Sequence, residues 1–341
     1  MREESGKVWR RAVALRARCD HISEHDSPWL QNARSFLPRF VPLWLWLMLG
    51  ACGGESSNDG LPGTAQLRAQ EIAAPPASGD VASDGLIWFN FRRQQAGLLP
   101  LARDPVLDQA ATAHAQYQLL NHSVAHEENP GRPGFTGFDA PQRLQAAGFP
   151  LTTATVADGE VIAATARPDG FAAADGLITA IYHRYLIFEP RFSTAGAGAA
   201  TRPGAYSWLT VNMVAPRQSS GLGKGQLVVW PHAGQRSVRA NFYSNQETPD
   251  PVPHHDEVGY PVSVHADFSS VLKVQRFMLR ERDGRLLAVR QLDSDSDRDT
   301  PPSAAAIVPL LPLRASTDYD VEFSGTIDGQ PVSRQWSFRT L

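Results

Sequence analysis

The sequence has few cysteines and nearly balanced charge, and its clearest hydrophobic run is short. Cys19 and Cys52 are the two cysteines of the 341 residues, so the chain beyond Cys52 cannot form a disulfide framework. A formal net charge of −3 provides no strong field, which argues against a nucleic-acid partner. The apolar run at Phe40–Ala51 is shorter than the roughly 20 residues needed to cross a bilayer.

The bulk composition is that of a globular protein. The hydrophobic fraction is 42% and the charged fraction 20%, which excludes a disordered chain or one with many membrane spans. A length of 341 residues predicts two domains, each large enough to bury its own core.

The short apolar run predicts an export signal. Arg34 and Arg39 precede the run. The run ends in Leu-Gly-Ala, and Cys52 comes next, so these four residues resemble a bacterial lipobox. The alternative is a buried helix that happens to precede a cysteine, but the following residues lack a core-like pattern. We therefore expect a signal peptide with a long N-terminal extension at 1–51 and a lipid on Cys52. A flexible tether at 52–83 would follow, and the protein would be anchored to a membrane outside the cytoplasm.

Two patterns divide the remaining sequence. Residues 84–218 mix helical and strand signals: Asp104 and Pro105 open a helix, and Ala172–Phe188 predicts another. From residue 226 the hydrophobic period becomes two, with strict alternation at Asp318–Phe323 before a turn. The fold class is therefore α+β, with an α/β domain at 84–218 and an all-β, immunoglobulin-like sandwich at 226–341.

The first of these domains resembles the CAP superfamily of cysteine-rich secretory, antigen 5 and pathogenesis-related proteins. Its helix with the spacing D-x-x-L-x-x-A-A-x-x-H-A and its G-E-x-I-A segment are similar to family motifs in order and spacing. The matching segments are Asn90–Leu98, Asp104–Ala115, Ala125–Glu127, Arg143–Phe149, Gly159–Ala163, Ile181–Arg184, Phe188–Phe192 and Gly196–Gly198. The resemblance implies a CAP-type α-β-α sandwich with a cleft lined by two histidines and two acidic residues.

Three residues are the predicted site. His126 and Glu160 match the family directly, while His183 stands in the third helix, where bacterial members place a histidine. We expect the three side chains to converge, either as catalytic acid and base or as ligands of a divalent metal ion such as zinc. The other interpretation is a buried hydrogen-bond network that positions loops. Arg143 is interpreted as a side chain that snorkels to solvent or caps a carboxylate, and His114 as a satisfied core or rim histidine.

Two functions follow from this site. The favoured one is a membrane-anchored binding protein whose cleft takes a small apolar ligand, a divalent metal, a peptide or another envelope component. The alternative is a metal-assisted hydrolase of envelope or extracellular substrates. The family's second strand histidine is absent, because Ala205–Trp208 occupies that place, and this favours binding.

Overall fold

The structure, a computed structural model, describes residues 69–341 except positions 153–154, 203, 205 and 283. Cys52, the predicted signal peptide and most of the predicted tether lie outside the described residues. All described residues belong to one compact unit. Among them, no helix combines the length and the apolarity that a bilayer crossing requires.

The first part of the chain is a sheet between two layers of helices. The helices are α1 (Val81–Gln95), α2 (Pro105–Asn121), α3 (Ala140–Ala146), α4 (Gly170–Thr179) and α5 (Ile181–Ile187). The strands are β1 (Ala102–Arg103), β2 (Thr155–Thr165), β3 (Thr194–Thr201) and β4 (Ser207–Pro216), in the spatial order β1-β3-β4-β2. Strand β1 runs parallel to β3, and the other neighbours are antiparallel.

Side-chain alternation along the central strand separates the two helical layers. Leu209, Val211 and Met213 of β4 belong to the core that contains α1 and α4. Trp208 and Val214, which point to the opposite face, pack in clusters with α2. This arrangement is the expected α-β-α sandwich.

Helix α2 lies unusually close to the sheet, because β3 presents glycine where they meet. A Cβ atom at Gly196 or Gly198 would overlap the backbone of Leu107, Asp108 or Thr112 in α2. Asp104 caps the helix by accepting from the amides of Val106 and Leu107. The predicted start of this helix is confirmed by that geometry.

The second part of the chain consists of antiparallel sheets. Strands β5 (Val228–Trp230), β8 (Val262–His265), β10 (Val289–Leu292) and β11 (Ala304–Pro309) form one sheet in the order β10-β11-β8-β5. Strands β9 (Leu272–Glu281), β12 (Asp318–Ile327) and β13 (Gln330–Arg339) form another, and β6 (Asn241–Tyr243) pairs with β7 (Glu257–Gly259). The α+β fold class is thus confirmed, while the immunoglobulin-like assignment and the domain boundaries stay predictions.

The two parts share one hydrophobic core and a set of buried polar contacts. Val211 and Phe188 of the first part lie in the same cluster as Val264 and Phe323 of the second. The fully buried guanidinium of Arg184 donates to the carbonyl oxygens of Ile178, within its own part, and Pro261, across the seam, each at 2.6 Å. These contacts fix the two parts to each other.

Two local predictions are corrected. The helix predicted at Ala172–Phe188 is two helices, because the backbone at Ala180 is extended (φ −67°, ψ 120°). The tether predicted to run to residue 83 ends earlier, since Asp80 caps α1 by accepting from the Ser83 amide. Glu71 also contacts folded residues, accepting from the side chain of Gln95 and the amide of Arg236.

Candidate functional site

A loop that folds back over helix α2 brings the candidate residues together. Helix α2 ends at Asn121, where His122 adopts a left-handed conformation with φ 50°. Nδ2 of the Asn121 side chain then donates to the carbonyl of Pro133 at 2.9 Å, and the backbone N–H of Asn129 donates to the Tyr117 hydroxyl at 2.8 Å. The loop thereby places His126 and Glu128 beside the sheet.

Glu160, in the middle of β2, is the centre of the cluster. Both of its carboxylate oxygens lie 2.8 Å from Nη2 of Arg143, which belongs to α3. Its Oε1 also lies 2.9 Å from Nδ1 of His126. Burial alone would raise the pKa of this carboxyl, but His114, Arg143 and His126 together lower it well below its usual range. Glu160 is therefore ionised at neutral pH.

Glu128 is a second buried carboxylate of the same cluster. Its Oε1 lies 2.8 Å from Nδ1 of His114, and its Oε2 accepts from the backbone N–H of Thr136 at 2.6 Å and of Gly137 at 3.4 Å. Burial raises the pKa of Glu128, but the bonds to His114 and Thr136 and the charges of His114 and Arg143 lower it by more, so the net shift is downward. A Cβ at Gly137 would lie 2.8 Å from the Arg143 amide, so glycine allows the loop to approach α3.

His114, in α2, lies between the two carboxylates. Its Nδ1 faces Glu128, and its Nε2 lies 3.0 Å from the carbonyl oxygen of Ala125 and 3.8 Å from Oε1 of Glu160. A carboxylate and a carbonyl only accept hydrogen bonds, so both ring nitrogens must donate to satisfy them. This is the hydrogen-bonding pattern of an imidazolium.

His126 differs from His114 because one of its nitrogens has no partner. Its Nδ1 faces the ionised carboxylate of Glu160 and therefore carries a proton, so in the neutral ring the lone pair is on Nε2. That Nε2 is buried and has no hydrogen-bond partner among the described residues. The side chain as a whole is 10% exposed, so it reaches the surface at its edge.

Polar side chains that lack partners continue the cluster along the sheet. Asn212 of β4 is the direct ladder partner of Glu160, so their side chains are neighbours on one face. Both polar atoms of the Asn212 side chain are buried without a hydrogen-bond partner in the described part of the chain, and so is Oε1 of Gln118. Nε2 of Gln118 donates to the Thr210 hydroxyl at 3.2 Å.

The structure corrects the predicted trio. It brings His126 and Glu160 together, but Nδ1 of His183 lies 2.9 Å from Oε1 of Glu247, in the second part of the chain. The described residues contain no group of three or more His, Cys, Asp or Glu side chains that could hold a metal ion. The zinc site proposed for His126, Glu160 and His183 is therefore not formed by these residues.

Glu247 holds His183 because helix α5 begins there without a cap of its own. The carboxylate accepts from the backbone N–H groups of Ile181, Tyr182 and His183, at 2.8, 2.8 and 3.2 Å. The first N–H groups of a helix have no partner within the helix, so an acceptor is required there. His183 thus serves the contact between the two parts of the chain.

Sequence reasoning did not place three members of the observed cluster in the site. His114 is a buried histidine with both nitrogens bonded and Arg143 caps a carboxylate, as interpreted, but neither was assigned to the cluster, and Glu128 was not considered. The available signal was the spacing of His126 and Glu128 in the same loop. Spacing alone did not indicate that the loop returns to α2, because that return depends on Asn121 and Tyr117.

A shallow groove of about 430 Å³ lies elsewhere, on the outer face of the three-stranded sheet. Charged side chains there pair with one another, as Arg276 with Glu322 at 3.2 Å and Arg282 with Asp320 at 2.9 Å. Exposed ion pairs of this kind contribute little energy. The buried cluster around Glu160 is the stronger candidate for a functional site.

Comparison with protein families agrees with the observed fold. The model of the cysteine-rich secretory protein family, CAP, matches residues 88–213. Among solved structures, an extracellular protein containing an SCP domain from Bacillus anthracis str. Ames is 22% identical, with a TM-score of 0.34, over 42% of this chain and 45% of that one. The match thus spans less than half the length of the Bacillus protein.

A second solved structure, an outer surface protein from Borrelia burgdorferi, is 14% identical, with a TM-score of 0.33, over 40% of this chain and 96% of that one. No curated protein matches the chain.

Proposed function

Residues 88–213 make this chain a member of the CAP superfamily, and from that premise we propose that it is a membrane-anchored binding protein of the cell envelope. The lipobox-like sequence before Cys52 supports an anchor, and two acyl chains on that residue would hold the protein stably. A location outside the cytoplasm also suits a family described as secretory.

The unpartnered Nε2 of His126 is the observation that carries the binding proposal. The neighbouring charged groups, His114, Glu128, Arg143 and Glu160, already bond to one another or to the backbone. His126 is the member of the cluster with both an edge at the surface and an unused polar atom. A buried polar atom without a partner is costly, so a ligand that bonds to it gains that energy.

Apolar side chains support a ligand that is partly hydrophobic. The backbone carbonyl of Phe138 accepts from the Glu128 amide at 2.9 Å, so this residue adjoins the cluster directly. Its ring is 48% exposed, and the ring of Phe135 in the same loop is 37% exposed. Small-molecule sites are usually lined by apolar and aromatic side chains with a few polar groups, so these exposed rings suit a partly hydrophobic ligand.

Metal-assisted hydrolysis is the weaker candidate, because the donors that a metal would need are engaged. Both oxygens of Glu160 contact Arg143, and Nδ1 of His126 is held by the same carboxylate. A metal ligand must offer a free lone pair, and among the histidines and glutamates of this cluster only His126 has a side-chain atom without a partner. Binding through His126 therefore accounts for the geometry better than a catalytic metal.

The test is extraction of the bound molecule. The full chain would be purified from envelopes in detergent, extracted with organic solvent and analysed by mass spectrometry, beside His126→Gln and the exposed control His255→Gln. We expect one compound to be present with the wild type and the control and depleted in His126→Gln, at equal melting temperatures. The same compounds in equal amounts from all three proteins would contradict the proposal.

A further inference from the structure

We infer that the guanidinium of Arg143 supplies from within the chain the positive charge that a metal ion would supply at Glu160, and that this site takes an uncharged ligand that donates a hydrogen bond to Nε2 of His126. This inference deepens the proposed binding function and rests on it. It concerns the chemistry of the ligand, which the family assignment leaves open.

The first step is that the carboxylates are saturated. Glu160 receives Nη2 of Arg143 on both oxygens and Nδ1 of His126 on one. Glu128 receives His114 on one oxygen and the amides of Thr136 and Gly137 on the other. A cation entering the cluster would have to displace these donors, whose geometry is already that of charge-assisted hydrogen bonds.

The second step is that a guanidinium and donor groups already face both carboxylates. The guanidinium of Arg143 meets Glu160, and Nδ1 of His114 meets Glu128. Nε of Arg143 also lies 3.9 Å from Oε1 of Glu128, so one guanidinium links both carboxylates. Buried carboxylates that are already paired gain little from an added ion, because the ion must lose its hydration without finding an unpaired opposite charge.

The third step is the nature of the free atoms. Nε2 of His126 presents a lone pair, so it repels an anion and accepts from an N–H or O–H group. Asn212, beside Glu160 on the same face of the sheet, has a free donor and a free acceptor within the described part of the chain. An uncharged group that both donates and accepts, such as an amide, matches this set.

Matched probes test the ligand class on the full-length protein in detergent micelles. Acetamide and acetate have the same shape but differ in charge, and zinc chloride represents the metal. Side-chain nitrogen resonances of ¹⁵N-histidine-labelled protein would be recorded in each titration, with the His126→Gln variant to identify the signal. We expect acetamide, and neither acetate nor zinc, to shift the His126 Nε2 resonance saturably. A response to acetate instead, or none to acetamide, would overturn the ligand assignment.

The role of Arg143 has its own test. The Arg143→Met variant removes the guanidinium. Glu160 and Glu128 then lose their positively charged neighbour, while His126 and His114 stay in place. Calorimetric zinc titration should then show saturable binding with a rise in melting temperature, and the wild type should show neither. Saturable zinc binding by the wild type that disappears in His126→Gln would overturn the inference. If Arg143→Met does not fold even with zinc, the wild-type titration still decides.

These outcomes separate the inference from the proposed function. A compound lost from His126→Gln upon extraction, together with zinc binding by the wild type, would keep the binding function and reject the role of Arg143. Absence of any extracted compound, with the expected zinc results for wild type and variant, would reject the function and keep the internal cation.

Discussion

Replacing Glu247 with Ala should destabilise the whole described unit, because this carboxylate joins its two parts. Glu247 is 2% exposed and accepts four hydrogen bonds, from the amides of Ile181, Tyr182 and His183 and from Nδ1 of His183. The alanine variant would leave four donors buried with no acceptor. A mutation to alanine therefore removes the cap of α5 and the partner of His183 together.

The magnitude follows from those four bonds. Each buried donor left without a partner costs about 1–3 kcal/mol, although water and small shifts of α5 will satisfy some of them. Breaking a buried charged network by removing one partner typically costs about 3–5 kcal/mol. We expect a loss in this range, which corresponds to a fall in melting temperature of roughly 10 °C for a unit of this size.

Urea unfolding of the full chain, followed by tryptophan fluorescence and far-ultraviolet circular dichroism, measures this loss. Glu247→Gln keeps one carbonyl acceptor and should lose less. Glu257→Ala changes an exposed carboxylate of β7 and should stay within about 0.5 kcal/mol of the wild type. If Glu247→Ala loses less than about 1 kcal/mol, the carboxylate is not the contact that holds α5.

Further predictions concern the anchor, the titration of a buried carboxyl, the helix–sheet contact and the second part alone. Cys52→Ser should move the protein from the membrane to the soluble fraction on fractionation, and retention in the pellet would reject the lipid anchor. Burial raises the pKa of Glu189 to about 8, so its native state holds a proton that the unfolded state releases near pH 4.5. The free energy of unfolding should therefore fall by about 1.4 kcal/mol per pH unit from pH 5 towards 8 because of this group, and Glu189→Gln should lack that component in urea titrations. Gly198→Ala should lower stability by at least about 1–3 kcal/mol, since its Cβ would overlap α2; an unchanged melting temperature would contradict this contact. The fragment 226–341 should give a β-type circular dichroism spectrum and unfold cooperatively, and a helical spectrum would reject a separate domain.

The sequence predicted best those elements whose hydrophobic pattern has a clear period or whose ends carry a cap. Strict alternation at Asp318–Phe323 predicted β12, and the Asp104-Pro105 pair predicted the start of α2. Strand β11 was missed because Ala304–Pro309 is buried on both faces, so it shows no alternation of apolar and polar residues. The break at Ala180 was missed because apolar residues flank it on both sides, at Leu177 and Ile178 and at Ile181 and Tyr182, and the chain offers no Pro or Gly at that point.

The candidate site was half predictable for a similar reason. His126 and Glu160 lie in segments whose spacing matches the family, so the sequence alone brought them together. Arg143 lies in such a segment too, but its contact with Glu160 depends on how α3 docks against β2, and no spacing rule gives that docking. Glu128 depends on the loop after α2, whose course is set by single hydrogen bonds from Asn121 and to Tyr117.

His183 shows where transfer of residues from a family fails in physical terms. The match to the family ends at residue 213, whereas the carboxylate that binds His183 is at residue 247. Because α5 begins after a break, its first N–H groups need an acceptor, and the second part of the chain provides it. Once Glu247 is there, Nδ1 of His183 bonds to it at 2.9 Å, and this bond holds the ring at the contact between the two parts of the chain. A histidine can thus keep the position that a family pattern assigns to it and serve a different partner, when that partner comes from outside the matched segment.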